Sequence, residues 1–178
     1  MEKKKDLKEN NKKTRIKINI LRVILIVLLM CTFGIIFGFS NQNGKTSGSL
    51  SRKITEAITS KAKSIQEMEK SERELILKRI EGIIRKIAHF SIYAIVGILL
   101  VSLFSTYKIE EFDRIAYSLI IGVIYAITDE IHQAFTPERG PSLFDVILDG
   151  EGVLFGICLV LICIKIYKRE NKKTITEK

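Results

Sequence analysis

The stretch Asp129-Glu-Ile-His-Gln-Ala-Phe-Thr-Pro-Glu-Arg-Gly-Pro-Ser-Leu-Phe-Asp-Val-Ile-Leu-Asp-Gly-Glu-Gly152 decides the fold. It crowds Asp129, Glu130, His132, Gln133, Arg139, Asp145, Asp149 and Glu151 between two strongly apolar runs, residues 115–128 and 153–164. Both runs have the composition of membrane-spanning helices, and both prolines of the chain, Pro137 and Pro141, lie in the turn between them. The stretch is therefore the bend of a helical hairpin at a bilayer edge. Ionisable groups at membrane depth are costly and by default mark a functional site.

Length sharpens the point. The charge-free run 152–164 has 13 residues, or about 20 Å of helix. The hydrocarbon core is about 30 Å thick. Roughly seven more residues have to enter it, and counting back from Gly152 reaches Asp145. Asp149 and Asp145 are thus expected below the headgroups, where they need partners.

Working outward, residues 87–104 form another apolar run, interrupted by His89 and preceded by Arg85 and Lys86. Residues 23–39 are 17 positions without a charge, extended by Ile20 and Leu21. A basic segment ahead of such a run also fits a signal peptide, but the run is long and no small-x-small cleavage site follows, so it reads as an uncleaved span. The expected fold class is all-α, a polytopic membrane protein of four spans near 20–39, 87–104, 115–133 and 143–165. One membrane domain, 20–167, lies between basic tails at 1–19 and 168–178.

Composition agrees. The chain of 178 residues is 47% hydrophobic and 28% charged with no Trp, so the two classes are segregated into blocks. The net charge of +9 sits in flanks beside apolar runs, which is the pattern of inner-leaflet anchoring. No basic motif is interleaved with aromatics, so nucleic acid is not expected as a partner. Cys31, Cys158 and Cys163 lie in apolar runs without metal-ligand spacing and read as packing residues.

Residues 40–48, rich in Ser, Asn and Gly, read as a loop. Apolar positions then recur at Ile54, Ile58, Ile65 and Met68, and Ser71 with Glu74 has the spacing of a capping box. Residues 50–86 are thus expected to form two amphipathic helices, on the membrane surface or packed on the ends of the spans. Gly34 and Gly38 would let another helix approach closely. The first 22 residues read as a solvated basic tail, with nine Lys or Arg against three acids.

With both termini in the cytoplasm, the inner segments hold 17 Lys or Arg and the outer ones 12, which favours that orientation. Under it the polar residues converge on the outer face. Lys86, His89 and Tyr93 share one helical stripe at spacings of three and four. Asp129 and His132 share another, and Asp145 and Asp149 a third. Glu138 and Glu151 read as plain helix-end charges.

Together these residues carry a resemblance. The pattern Lys86-Ile-Ala-His89-Phe-x-x-Tyr93, then Asp129-Glu130-x-His132-Gln133-x-Phe135-x-Pro137-x-Arg139, then Ser142-x-x-Asp145-x-x-x-Asp149-x-x-Gly152-x-x-x-Gly156 resembles the VanZ-like family of integral membrane proteins. Phe39-Ser40-Asn41-Gln42 resembles that family's Phe-Ser-x-Gln element, while Glu151 departs from its pattern. The family is named for a protein that confers teicoplanin resistance. The resemblance implies a Gram-positive envelope protein with an outer-leaflet site for a membrane lipid, a lipid-linked cell-wall precursor or a lipoglycopeptide.

In that site Lys86 and Arg139 are expected to contact anionic groups. His89, Tyr93, Gln133 and Asp129 would orient them, joined by Glu130, His132, Asp145, Asp149, Ser40 and Gln42. Two alternatives stay open, an intramembrane hydrolase or transferase and a structural partner of another envelope protein. For the enzyme, His89 or His132 would be the general base, with Asp129 or Glu130 as orienting acid. Two histidines and several carboxylates also suit a divalent metal at that face, but no metal or other cofactor is assigned. Neither a nucleophile elbow, a His-Glu-x-x-His pair nor a phosphate-cradling Gly loop is present.

Overall fold

The computed structural model describes residues 2–41, 44–137, 140 and 142–176, with side chains for 9–41, 49–137, 140 and 142–171. The described chain is helical with no strand. It runs α1 (Glu2–Ser40), α2 (Gly44–Thr59), α3 (Lys63–Gln66), α4 (Lys70–Phe104), α5 (Glu111–Ala134) and α6 (Leu143–Thr176). Four of these, α1, α4, α5 and α6, are long and apolar enough to cross a membrane. Each contains one expected span. Their outer faces carry large exposed apolar side chains, among them Val23, Ile95, Ile124 and Phe155. That is the reverse of a soluble bundle, and it suits a lipid surround in which helices satisfy their own backbone groups.

What holds the spans together is close backbone approach. Lipid tails are as apolar as leucine, so helix association in a bilayer rests on packing and small residues. Here α4 meets α6 through Gly97, Gly152 and Gly156. A Cβ on Gly97 would collide with the Val153 carbonyl oxygen, and one on Gly156 with that of Ala94. A Cβ on Gly152 would lie 2.5 Å from the Phe90 carbonyl oxygen. Val153 is fully buried, with its side chain against Gly122 of α5. Around this seam lie Tyr93, Val96, Leu100 and Val101 of α4, Ala126 of α5 and Ile157 of α6, with Leu29 and Ile36 from α1.

The contacts fix directions. Near the end of the bundle that carries the α4–α5 turn, Arg22 Nε donates to Thr106 Oγ1 at 2.9 Å and Nη2 to the Thr106 carbonyl at 2.7 Å. The same guanidinium lies 3.9 Å over the Tyr107 ring. At the other end Ser40 bonds to Asp129. Consequently α1 runs parallel to α5. The start of the second span, the ends of α1 and α5 and the start of α6 gather at the end away from the α4–α5 turn.

Several expectations change. Residues 70–86 are not a separate amphipathic helix. They continue unbroken into the second span, making α4 35 residues long, about 50 Å against a hydrocarbon core of about 30 Å. Helix α2 packs beside this first half of α4. The Ser71–Glu74 capping box is not formed: α4 is capped by Glu69 without a side-chain hydrogen bond. Glu74 instead accepts from Arg52 Nη2 at 2.8 Å and Nη1 at 3.1 Å. The expected loop 40–48 is shorter, because α1 runs to Ser40 and α2 begins at Gly44. The basic first segment is continuous helix with the first span.

The polarity of α2 has a consequence for packing. Its Ser51, Thr55 and Thr59 are buried, while Leu50, Ile54 and Ile58 are exposed. Small hydroxylated residues face α4 because they allow a close approach and bond back to their own helix, as Thr55 Oγ1 does to the Ser51 carbonyl. Among the described residues no helix packs on the Gly34–Gly38 face, with nothing within 4 Å of a Cβ at either position. The three cysteines are free and exposed on the outer surfaces of their helices, not packed inside.

Candidate functional site

Ser40, the last residue of α1, is almost completely buried. Its hydroxyl donates to Asp129 Oδ1 at 2.5 Å, and Gln133 Nε2 donates to Asp129 Oδ2 at 2.9 Å and reaches the Ser40 hydroxyl at 3.2 Å. Gln133 sits one helical turn after Asp129, so a single face of α5 supplies both the carboxylate and one of its clamps. Thr136 Oγ1 donates to the Ser40 carbonyl at 3.3 Å and closes the α1–α5 corner. Asp129 is thereby held by a donor on each oxygen.

Asp149 of α6 is 1% exposed. Its Oδ1 lies 3.7 Å from His89 Nδ1 of α4 and makes no hydrogen bond of normal length. Ligand-type atoms of His89, Asp129 and Asp149 all lie within 4.8 Å of one another. Tyr93, one turn after His89, is fully buried, and its hydroxyl makes no hydrogen bond of normal geometry. Three helices thus converge on one polar cluster, in which the glycine contact of Gly152 with Phe90 and Tyr93 sets the α4–α6 distance.

The remaining expected residues divide. Lys86 is exposed, with its Nζ 4.5 Å over the Phe144 ring. Asp145 and Lys86 line a cavity of about 250 Å³ together with Arg85, His89 and Gln133. Glu130 points to the start of α6, where its Oε1 accepts from the Ser142 backbone N–H at 2.5 Å. Ser142 Oγ in turn accepts from the Asp145 N–H at 3.3 Å, an N-cap on α6. His132 turns toward α1 and stacks on Phe37 with ring centroids 4.6 Å apart, outside the His89–Asp129–Asp149 cluster. Gln42 and Arg139, with Glu138, lie outside the described residues.

Beside the polar cavity is an apolar groove lined by Ile36, Phe39, Leu50, Ile54, Ile84 and Ile92. Groove and cavity share Arg85 and His89. Arg85 was not among the expected site residues. Its spacing of four before His89 was the signal, since that spacing puts both on one helical face. Away from the spans, Arg52 joins α2 to α4. Hydrogen bonds from Arg52 hold the Glu74 carboxyl below its ordinary value, and Glu74 with Glu56 raises the guanidinium.

The model of the VanZ/LLP1 family matches residues 24–164, all four spans and the polar cluster included. The chain belongs to the VanZ/LLP1 family. No curated protein and no solved structure matches it. The family match and the four apolar helices make this VanZ/LLP1 chain a multi-pass membrane protein.

Proposed function

We propose that this VanZ/LLP1 protein binds an anionic amphiphile of the cell envelope, a lipid-linked cell-wall precursor or a lipidated molecule, at the outer leaflet. The observation that carries the reading is the meeting of the apolar groove and the polar cavity at Arg85 and His89. A hydrocarbon chain suits the groove, and a phosphate or carboxylate suits Arg85 and Lys86. His89 and Gln133 line the cavity, with Asp129, Asp149 and Tyr93 fixed behind them. Outward orientation is supported by the excess of Lys and Arg on the side of the termini.

On this reading the protein lowers susceptibility to lipoglycopeptides, whose acyl chain brings them into the same leaflet. Expression in a susceptible Gram-positive host is expected to reduce teicoplanin susceptibility more than that to vancomycin, which lacks the acyl chain. The effect is expected to vanish in Arg85→Ala and His89→Ala variants that remain in the membrane at equal abundance. No change for either drug with abundant protein contradicts the antibiotic reading.

An intramembrane hydrolase or transferase is the second reading, supported by His89 standing 3.7 Å from Asp149. Mass spectrometry of envelope lipids and precursors separates the two. A His89-dependent change in their chemistry favours catalysis, and resistance with unchanged chemistry favours binding.

A further inference from the structure

The cluster behind the cavity has a donor set suited to a specific class of ion. We infer that His89, Asp129 and Asp149 form a binding site for one divalent transition-metal cation, of the Zn2+ or Mn2+ class. The inference does not rest on the lipid reading, since it needs no lipid to be present.

Geometry is the first support. Two oxygens bound to one such ion, each about 2.0–2.2 Å from it, stand up to about 4.4 Å apart. His89 Nδ1 and Asp149 Oδ1 are 3.7 Å apart, and all three ligand-type atoms fall within 4.8 Å. Small side-chain rotations close the difference. The ligands come from α4, α5 and α6; the Gly97, Gly152 and Gly156 contacts lock α4 to α6, and Gly122 brings α5 against Val153 of α6.

An orphaned buried atom is the second support. Asp149 Oδ1 is buried without a hydrogen bond of normal geometry, in a residue 1% exposed. Asp149 is a member of the cluster. A buried polar atom without a partner costs about 1–3 kcal/mol, and two carboxylates close together at membrane depth repel. A doubly charged cation resolves both.

Orientation is the third. Ser40 and Gln133 clamp the two Asp129 oxygens. Each carboxylate oxygen keeps a second lone pair for a ligand. Outer partners of this kind are how metal sites fix their ligands. One imidazole with two carboxylates favours Zn2+ or Mn2+ over soft ions that prefer thiolates. The cavity lined by His89 and Gln133 gives the ion a route in and leaves room for water or a substrate anion.

The test uses the full-length protein in detergent, freed of metal by a chelator and dialysed against Zn2+ or Mn2+. One ion per chain is expected by elemental analysis, together with a rise in unfolding temperature. His132→Ala, outside the cluster, is expected to keep that stoichiometry. Asp149→Asn and His89→Gln are expected to lose at least tenfold in affinity, and Gln133→Ala about tenfold, as for other outer partners. Co2+ supplies a second readout on the unaltered protein, an absorption band of an ion bound by nitrogen and oxygen that also serves if a variant does not fold. Substoichiometric binding of Zn2+ and Mn2+ by the unaltered protein, with no cobalt band, overturns the site. So does binding that survives both ligand substitutions in folded protein.

Discussion

Ser40 and Asp129 lie 89 positions apart in sequence and share a 2.5 Å hydrogen bond, the tie between the end of α1 and the polar cluster. Both residues are buried, so water cannot replace the hydroxyl. Ser40→Ala removes one of the two donors holding the carboxylate, and a buried acceptor left short costs about 1–3 kcal/mol. The substitution is expected to lower the unfolding midpoint in detergent. Ser91→Ala is the comparison, because exposed Ser91 bonds to the Ile87 carbonyl of its own helix. Equal midpoints for the two variants would show that Ser40 does not stabilise the corner.

Helix packing gives a sharper contrast. Gly97→Ala and Gly156→Ala place a methyl against backbone carbonyls of the facing helix, which cannot rotate aside. Each is expected to destabilise by about 1–3 kcal/mol, the usual cost of overpacking. Gly34→Ala meets nothing within 4 Å and is expected to stay within about 0.5 kcal/mol. Reversible unfolding of the three variants decides it.

How far the sequence disclosed this arrangement follows from what each signal encodes. Apolar runs of spanning length encode the four spans. Charge at membrane depth picks out His89, Asp129 and Asp149. Helical periodicity specifies a face but not the neighbour that face meets. It put Asp129 and His132 on one stripe, whereas in the fold Asp129 is clamped by Ser40 and His132 stacks on Phe37. Ser40 was found only through its resemblance to the Phe-Ser-x-Gln element, because a lone serine after a span has no physical signature of its own. Its importance comes from a contact 89 residues away. The extent of α4 was hidden by Arg85 and Lys86, which look like the flank of a span but sit inside one helix. Glu74 had the spacing of a cap, yet a guanidinium 22 residues away is a stronger partner than its own backbone.

That Arg52–Glu74 pair predicts a pH response outside the bilayer. The folded Glu74 carboxyl titrates below its ordinary value of 4.5. A depressed carboxylate contributes fully above the unfolded value and loses that contribution as pH falls through the folded one. Docking of α2 on α4 is therefore expected to hold above pH 4.5 and weaken below it. Spin labels on α2 and α4 would report the separation. In Glu74→Gln the docking is expected to be weaker throughout and its acid response reduced. An unaltered acid response in that variant would assign it to other groups.

Topology is open to a direct check. In a background lacking Cys31, Cys158 and Cys163, Gly140→Cys and Lys108→Cys place exposed thiols at opposite ends of the bundle. An impermeant thiol reagent on intact cells is expected to label position 140 and spare position 108. The reverse pattern would put the polar cluster on the cytoplasmic side.

Binding of a polyprenyl phosphate by the purified protein tests the central claim most directly, with the uncharged polyprenol of equal chain length as comparison. Native mass spectrometry or equilibrium binding in detergent supplies the measurement. The account predicts that the phosphate binds at least tenfold more tightly than the alcohol. It also predicts that Arg85→Ala removes that preference and that Ile54→Lys in the groove weakens both ligands. Equal affinity for phosphate and alcohol, or a preference that survives Arg85→Ala, would contradict it.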